Sequence, residues 1–133
     1  MALSDDQLLE HADGELKKAY TPYSNYRVGA VIETTKGTLY TGCNIENANY
    51  SNSIHAEELA MVKAIQEGEE SFRALAVVSD RNDGVTPCGM CRQTLAEFAD
   101  ESLRIVTVSD RTIERYTLGE LLPASFGGRF LDD

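Results

Sequence analysis

Residues 103–117, "LRIVTVSDRTIERYT", constrain the fold of this chain more than any other stretch. Both halves are rich in β-branched residues and read as strands, with only "SDR" to connect them. A parallel crossover takes about a dozen residues or more, so these two strands must pair antiparallel. Upstream, strand and helix signals alternate. "FRALAVVSD" is a short apolar run of the kind buried inside a sheet, and "RVGAVIETTKGTLYTGCNI" reads as a hairpin turning at "TTKG". Strands joined through helices are expected to lie parallel, with right-handed crossovers.

The helices are marked by caps and spacing. Ser4 with Gln7 makes a capping-box start, and Leu8, Leu9, Ala12, Leu16, Ala19 and Tyr20 then recur at helical spacing up to "TPYSNY". A second helix, "HAEELAMVKAIQEG", closes at Gly68, and a third, "CGMCRQTLAEFAD", opens just past Pro87. Thr117 caps a last turn, "LGELLP". The expected architecture is α/β: a five-stranded mixed sheet with helices on both faces and its last two strands antiparallel. No internal repeat, low-complexity tract or linker interrupts the pattern, so residues 1–133 are expected to form a single domain.

Net charge is −10, from 22 acidic and 12 basic residues. Such a surface repels phosphate backbones, and nucleic-acid binding draws on clustered Lys and Arg, so no nucleic-acid partner is expected. No apolar run approaches the roughly 20 residues that span a bilayer, so no membrane partner is expected either. The acidic, helix-patterned "MALSDDQLLEHAD" does not read as a signal peptide, and the expected location is cytoplasmic. The three cysteines, Cys43, Cys88 and Cys91, do not suggest a disulfide framework. In a reducing compartment, a C-x-x-C pair points instead to a metal or redox site.

Cys88 and Cys91 are three apart at the start of a helix, so both thiols can converge on one point. The positive end of the helix favours their thiolates. His55 opens the other long helix. If the two helix N-termini face each other, His55, Cys88 and Cys91 supply three ligands suited to zinc. Residues two apart in mid-helix point to nearly opposite sides. Glu57 therefore shares a site with His55 only if the histidine lies in the very first turn. Three ligands beside an unligated acid are the layout of a catalytic zinc, with Glu57 as the proton carrier. "HAE" followed by "PCGMC" matches the H-x-E…P-C-x-x-C signature of zinc nucleobase deaminases.

"PYSNYRVGA", "GCNIENANYS", "PCGMCRQ" and "LLPASF" together resemble the small, homotetrameric cytidine deaminases, over almost the whole chain. The resemblance implies the three-layer α-β-α fold of that family. It also implies that Asn44 and Glu46 hydrogen-bond the sugar hydroxyls, and that the Ala56 backbone and the Thr86 carbonyl hold the base edge. By the same resemblance, Tyr26 stacks near the pyrimidine where the family commonly has phenylalanine, its hydroxyl needing a partner. Phe126 would reach into a neighbouring subunit's site, with Tyr50 at the shared boundary. One departure stands out: the tetrameric members usually read "CAER" where this chain reads "HAEE", so His55 and Glu58 replace a cysteine and an arginine. Arg92, after the second C-x-x-C cysteine, is kept.

The expected function is zinc-dependent hydrolytic deamination of cytidine and 2′-deoxycytidine to uridine and 2′-deoxyuridine plus ammonia, as in pyrimidine salvage. One alternative is deamination of a related aminopyrimidine or modified cytidine. Another is a non-enzymatic zinc module with Cys43 as a fourth ligand, a closed site in which Glu57 has no role.

Overall fold

The structure is a computed structural model that describes residues 2–131. Five strands, β1 (Val28–Thr34), β2 (Leu39–Cys43), β3 (Phe72–Ser79), β4 (Arg104–Ser109) and β5 (Thr112–Thr117), form one sheet in the order β2-β1-β3-β4-β5. β1 pairs antiparallel with both β2 and β3, β3 pairs parallel with β4, and β4 pairs antiparallel with β5. The last pair turns through Asp110 and Arg111, with Asp110 at a φ of 54°. The mixed sheet and its antiparallel end are as the short "SDR" connection requires. β2 and β3, joined through a helix, do run in the same direction, but β1 lies between them.

Among the described residues, four α-helices accompany the sheet: α1 (Asp5–Gly14), α2 (Ala56–Gln66), α3 (Gly89–Phe98) and α4 (Leu118–Leu121). Strand alternation decides what each face buries. Ala30 and Ile32 of β1 and Leu75 and Val77 of β3 pack with Ala60, Met61 and Ala64 of α2 and Leu95 of α3. Their neighbours Val31, Ala74, Ala76 and Val78 pack instead with Leu8, Leu9 and Ala12 of α1. Helices therefore cover both faces of a central sheet. Gly42 of β2 marks a close approach, because a Cβ there would collide with the Ala56 carbonyl in the first turn of α2. That contact sets the start of α2 directly against the sheet.

The first helix is shorter than its apolar spacing suggests. α1 ends at Gly14, and Leu16–Lys18 continue as a 3₁₀ turn. Gly14 gives up helix stability in the last turn, while Glu15 closes the helix by donating its backbone N–H to the Ala12 carbonyl. Other boundaries follow their signals. Ser4 and Gln7 form the reciprocal capping box, Gly68 follows α2 at a φ of 86°, and the Thr117 hydroxyl accepts from the Glu120 N–H.

Candidate active site and metal centre

His55 and Cys88 hold the same position on two different helices. Each is the extended N-cap residue of its helix, His55 at φ −87°, ψ 152° and Cys88 at φ −69°, ψ 172°. An N-cap residue leaves the helical path, which frees the His55 ring to share a site with Glu57. The two N-termini meet. His55 Nδ1 lies 3.2 Å from Cys88 Sγ and 3.4 Å from Cys91 Sγ, and the ligand atoms of all three lie within 4.8 Å of one another. Zinc bonded to nitrogen at about 2.0 Å and to sulfur at about 2.3 Å would separate tetrahedral ligands by roughly 3.5 Å, so this donor set fits zinc.

Burial pushes the Cys91 thiol well above its ordinary range, and the charges of Glu57 and Cys88 push it further. A cation between the sulfurs reverses that trend, since a coordinating thiol is deprotonated by the metal. Cys43 stands apart. It is buried on β2 and does not belong to the metal-ligand group, so the closed site with Cys43 as fourth ligand is not what the fold builds.

Glu57 is only 5% exposed, in the first turn of α2. Burial raises its pKa, Glu58 raises it further, and its own backbone N–H and His55 work against the rise. Such a carboxyl holds a proton more readily than a solvated one. Glu58 points elsewhere: its carboxylate accepts from the His55 backbone N–H at 3.1 Å, holding the ligand's main chain. Arg92 does not sit among the sulfurs either. Its guanidinium donates to the carbonyls of Pro87 (2.7 Å) and Leu121 (2.8 Å) and to the Thr86 hydroxyl (3.1 Å), bracing the loop that delivers Cys88.

A cavity of about 540 Å³ opens over this centre. Tyr26, Asn44, Glu46, His55, Ala56, Glu57, Thr86 and Cys88 all line it, with Cys91 buried beneath. The structure adds Tyr23, Ser24, Val28, Ser53, Ile54 and Val85 to the lining, and Tyr50, expected at a subunit boundary, lines it as well. Asn44 bridges the start of β1, accepting from the Val28 N–H and donating to the Tyr26 carbonyl. The Glu46 carboxylate accepts from the N–H groups of Tyr23 and Ser24 and from the Ser24 hydroxyl, so it also shapes the 21–26 turn. Phe126 does not line this cavity. It is 57% exposed and stacks on Phe130 with centroids 5.5 Å apart.

Residues 3–107 match the family model described as "Cytidine and deoxycytidylate deaminase zinc-binding region". This chain belongs to that family. It is 43% identical over 122 residues to a cytidine deaminase of Sporosarcina psychrophila, covering 91% of this chain and 90% of that protein. It is 37% identical over 127 residues to one from Halalkalibacterium halodurans, covering 95% and 96%. Among solved structures, the cytidine deaminase of Burkholderia pseudomallei matches at a TM-score of 0.89 and 36% identity, over 93% of this chain and 100% of that one. That of Mycobacterium tuberculosis matches at 0.84 and 34%, over 94% and 98%. The family's zinc-binding region thus covers His55, Cys88 and Cys91, the three residues whose donor atoms converge here.

Proposed function

We propose that this chain is a cytidine deaminase, converting cytidine or 2′-deoxycytidine and water to uridine or 2′-deoxyuridine and ammonia. The observation that carries the reading is the pairing of His55, Cys88 and Cys91 at two facing helix N-termini with the buried acid Glu57 beside them. Held by those three residues, zinc supplies Lewis-acid activation of water. Glu57 takes the two protons of the attacking water in turn, delivering the first to the ring nitrogen N3 and the second to the departing amine. The Ala56 N–H, in the first turn of α2, lacks a helical partner and suits the base edge together with the Thr86 carbonyl.

The lining also favours a nucleoside over a nucleotide. Among the described residues, no lysine or arginine lines the cavity, while two carboxylates, Glu46 and Glu57, do. A phosphate would enter against negative charge with no cation to meet it. Asn44 and Glu46 are the proposed sugar-hydroxyl partners, and Tyr26 the proposed aromatic wall. Among the described residues no helix is long and apolar enough to cross a membrane. With the acidic composition, this suits an enzyme of free nucleosides in the cytoplasm, acting as one catalytic unit over residues 1–133.

The proposed assembly is a homotetramer with shared sites. Its support is the exposure of Tyr50 (76%) at the cavity mouth and of Phe126 outside it. Phe126→Ala should raise KM for cytidine while zinc content stays intact, and an active monomer in sizing chromatography would overturn the shared-site arrangement. The reading as a whole is tested by assaying bound zinc together with ammonia release from cytidine, 2′-deoxycytidine, cytosine, 5-methylcytidine and deoxycytidylate. Turnover of the two nucleosides, with deoxycytidylate a poor substrate, is expected. A zinc-loaded protein that releases no ammonia from either nucleoside would contradict it.

A further inference from the structure

Tyr26 is tied to a surface hub that the zinc signature does not include. Its hydroxyl donates to Asp83 Oδ2 at 2.7 Å, and the Ser79 hydroxyl donates to Asp83 Oδ1 at 2.7 Å. Ser79, at the end of β3, is 3% exposed and also accepts from the Arg81 N–H at 3.1 Å. Asp83 does not drift with the loop around it. Its backbone bridges Ser109 of β4, and the next residue's N–H, on Gly84, donates to the Val108 carbonyl. The carboxylate is thus fixed to the sheet from two strands. Above the ring, the Arg81 guanidinium lies 5.1 Å from the centroid, and Arg81 Nη2 donates to the Asn25 carbonyl. Tyr26 lines the cavity and Arg81 does not.

We propose that Asp83, braced by Ser79, is a positioning residue that pins the Tyr26 ring as a preset wall of the nucleoside cavity. The hydroxyl proton of Tyr26 is spent on Asp83, so the cavity receives a ring surface and no competing donor. A pinned ring loses no rotamer freedom when a base stacks on it, and that loss would otherwise weaken binding. Asp83 touches no substrate and acts only through Tyr26. The inference rests on the nucleoside reading for its effect on KM, but the pinning contact itself does not.

The test compares wild type, Tyr26→Phe, Asp83→Asn and the double variant, all loaded with zinc. Tyr26→Phe keeps the ring and frees it from the hub. KM for cytidine should rise about three- to fivefold, the ratio matching the low end of a net hydrogen-bond contribution at a water-accessible site. The kcat should stay within about twofold, because Glu57 and the ligands are untouched. Asp83→Asn should raise KM as well, and the double variant should be no worse than Tyr26→Phe alone. Unchanged KM in Tyr26→Phe, or strictly additive effects, would overturn the proposal. A lowered melting temperature with unchanged KM would mean that the contact is structural only. A second measurement is independent of turnover: NMR titration of ring-labelled tyrosine. Burial and Asp83 raise the Tyr26 pKa while Ser79 and Arg81 oppose the rise, so Asp83→Asn should bring that titration back toward the ordinary range. No movement would show that the hydroxyl is not on Asp83. If wild type releases no ammonia from cytidine, the nucleoside reading fails while the titration still decides the contact.

Discussion

α1 and α2 pack on opposite faces of one sheet, and their N-termini are closed in different ways. At α1 the Ser4 hydroxyl accepts from the Gln7 N–H, the Gln7 side chain accepts from the Ser4 N–H, and Asp5 in the first turn meets Arg104 and Arg115, each at 2.6 Å. At α2 the capping position is given to His55, and at α3 to Cys88, neither of which makes an ordinary side-chain cap. Glu57, in the first turn of α2, is buried without an ion-pair partner among the described residues. The α1 end is finished by capping and charge pairing. The α2 and α3 ends give their N-cap side chains to metal ligands, with a buried acid beside them, so these two helix ends are completed by the metal they bind.

The sharpest way to break this contrast is to remove a ligand. Cys91→Ala should abolish zinc binding and turnover together, and hydrogen exchange should quicken in the first turns of α2 and α3 while α1 stays protected. Quickened exchange spread evenly over both faces would erase the distinction. Next in size is the reverse experiment. Asp5→Ala should lower stability by roughly 1–2 kcal/mol, the range for hydrogen bonds to charged groups reduced by the exposure of the arginines, with kcat/KM unchanged. Burial alone would raise the Asp5 pKa, but the hydrogen bonds and charges of Arg115 and Arg104 outweigh it and hold it below 3.8. An acid lowered on folding contributes stability above its unfolded pKa and loses it as pH falls through the folded value. The variant should therefore lose stability relative to wild type at neutral pH, and the gap should close in acid. A gap that widens in acid would count against the ion pairs.

The smallest effect belongs to Glu58, where the two styles of capping meet. Its carboxylate grips the His55 main chain, so Glu58→Ala should weaken zinc binding by about tenfold in chelator competition, the low end for a group that supports a ligand. KM should not change. Unaltered zinc affinity would mean that the cap serves the helix alone.

These same residues show what was legible in the chain before its fold. The "SDR" connection dictated the antiparallel end of the sheet, and helix-start signals placed His55 and Cys88 at N-termini, because local spacing carries that information. The convergence of the two N-termini depends on β2, β3 and the close contact at Gly42, which spacing does not encode; only the recognisable signature anticipated it. Glu58 was legible as a departure but not as a cap, since the same carboxylate could face the ligands or the main chain. Asp83 and Arg92 gave no signal for their partners. Asp83 lies 57 residues from Tyr26, and only the folded sheet brings the two together. α1 ended earlier than its apolar pattern because Gly14 interrupts the helix without altering that pattern.

In the proposed mechanism His55, Cys88 and Cys91 hold a zinc beside Glu57, an acid that moves protons. Measuring zinc content and ammonia release from cytidine in Glu57→Gln tests it most directly, since the substitution keeps shape and removes the proton carrier. Zinc should be bound as in wild type, and turnover should fall by about 10²–10⁴-fold, the usual contribution of general acid–base catalysis. Ammonia release near the wild-type rate, with zinc in place, would contradict it.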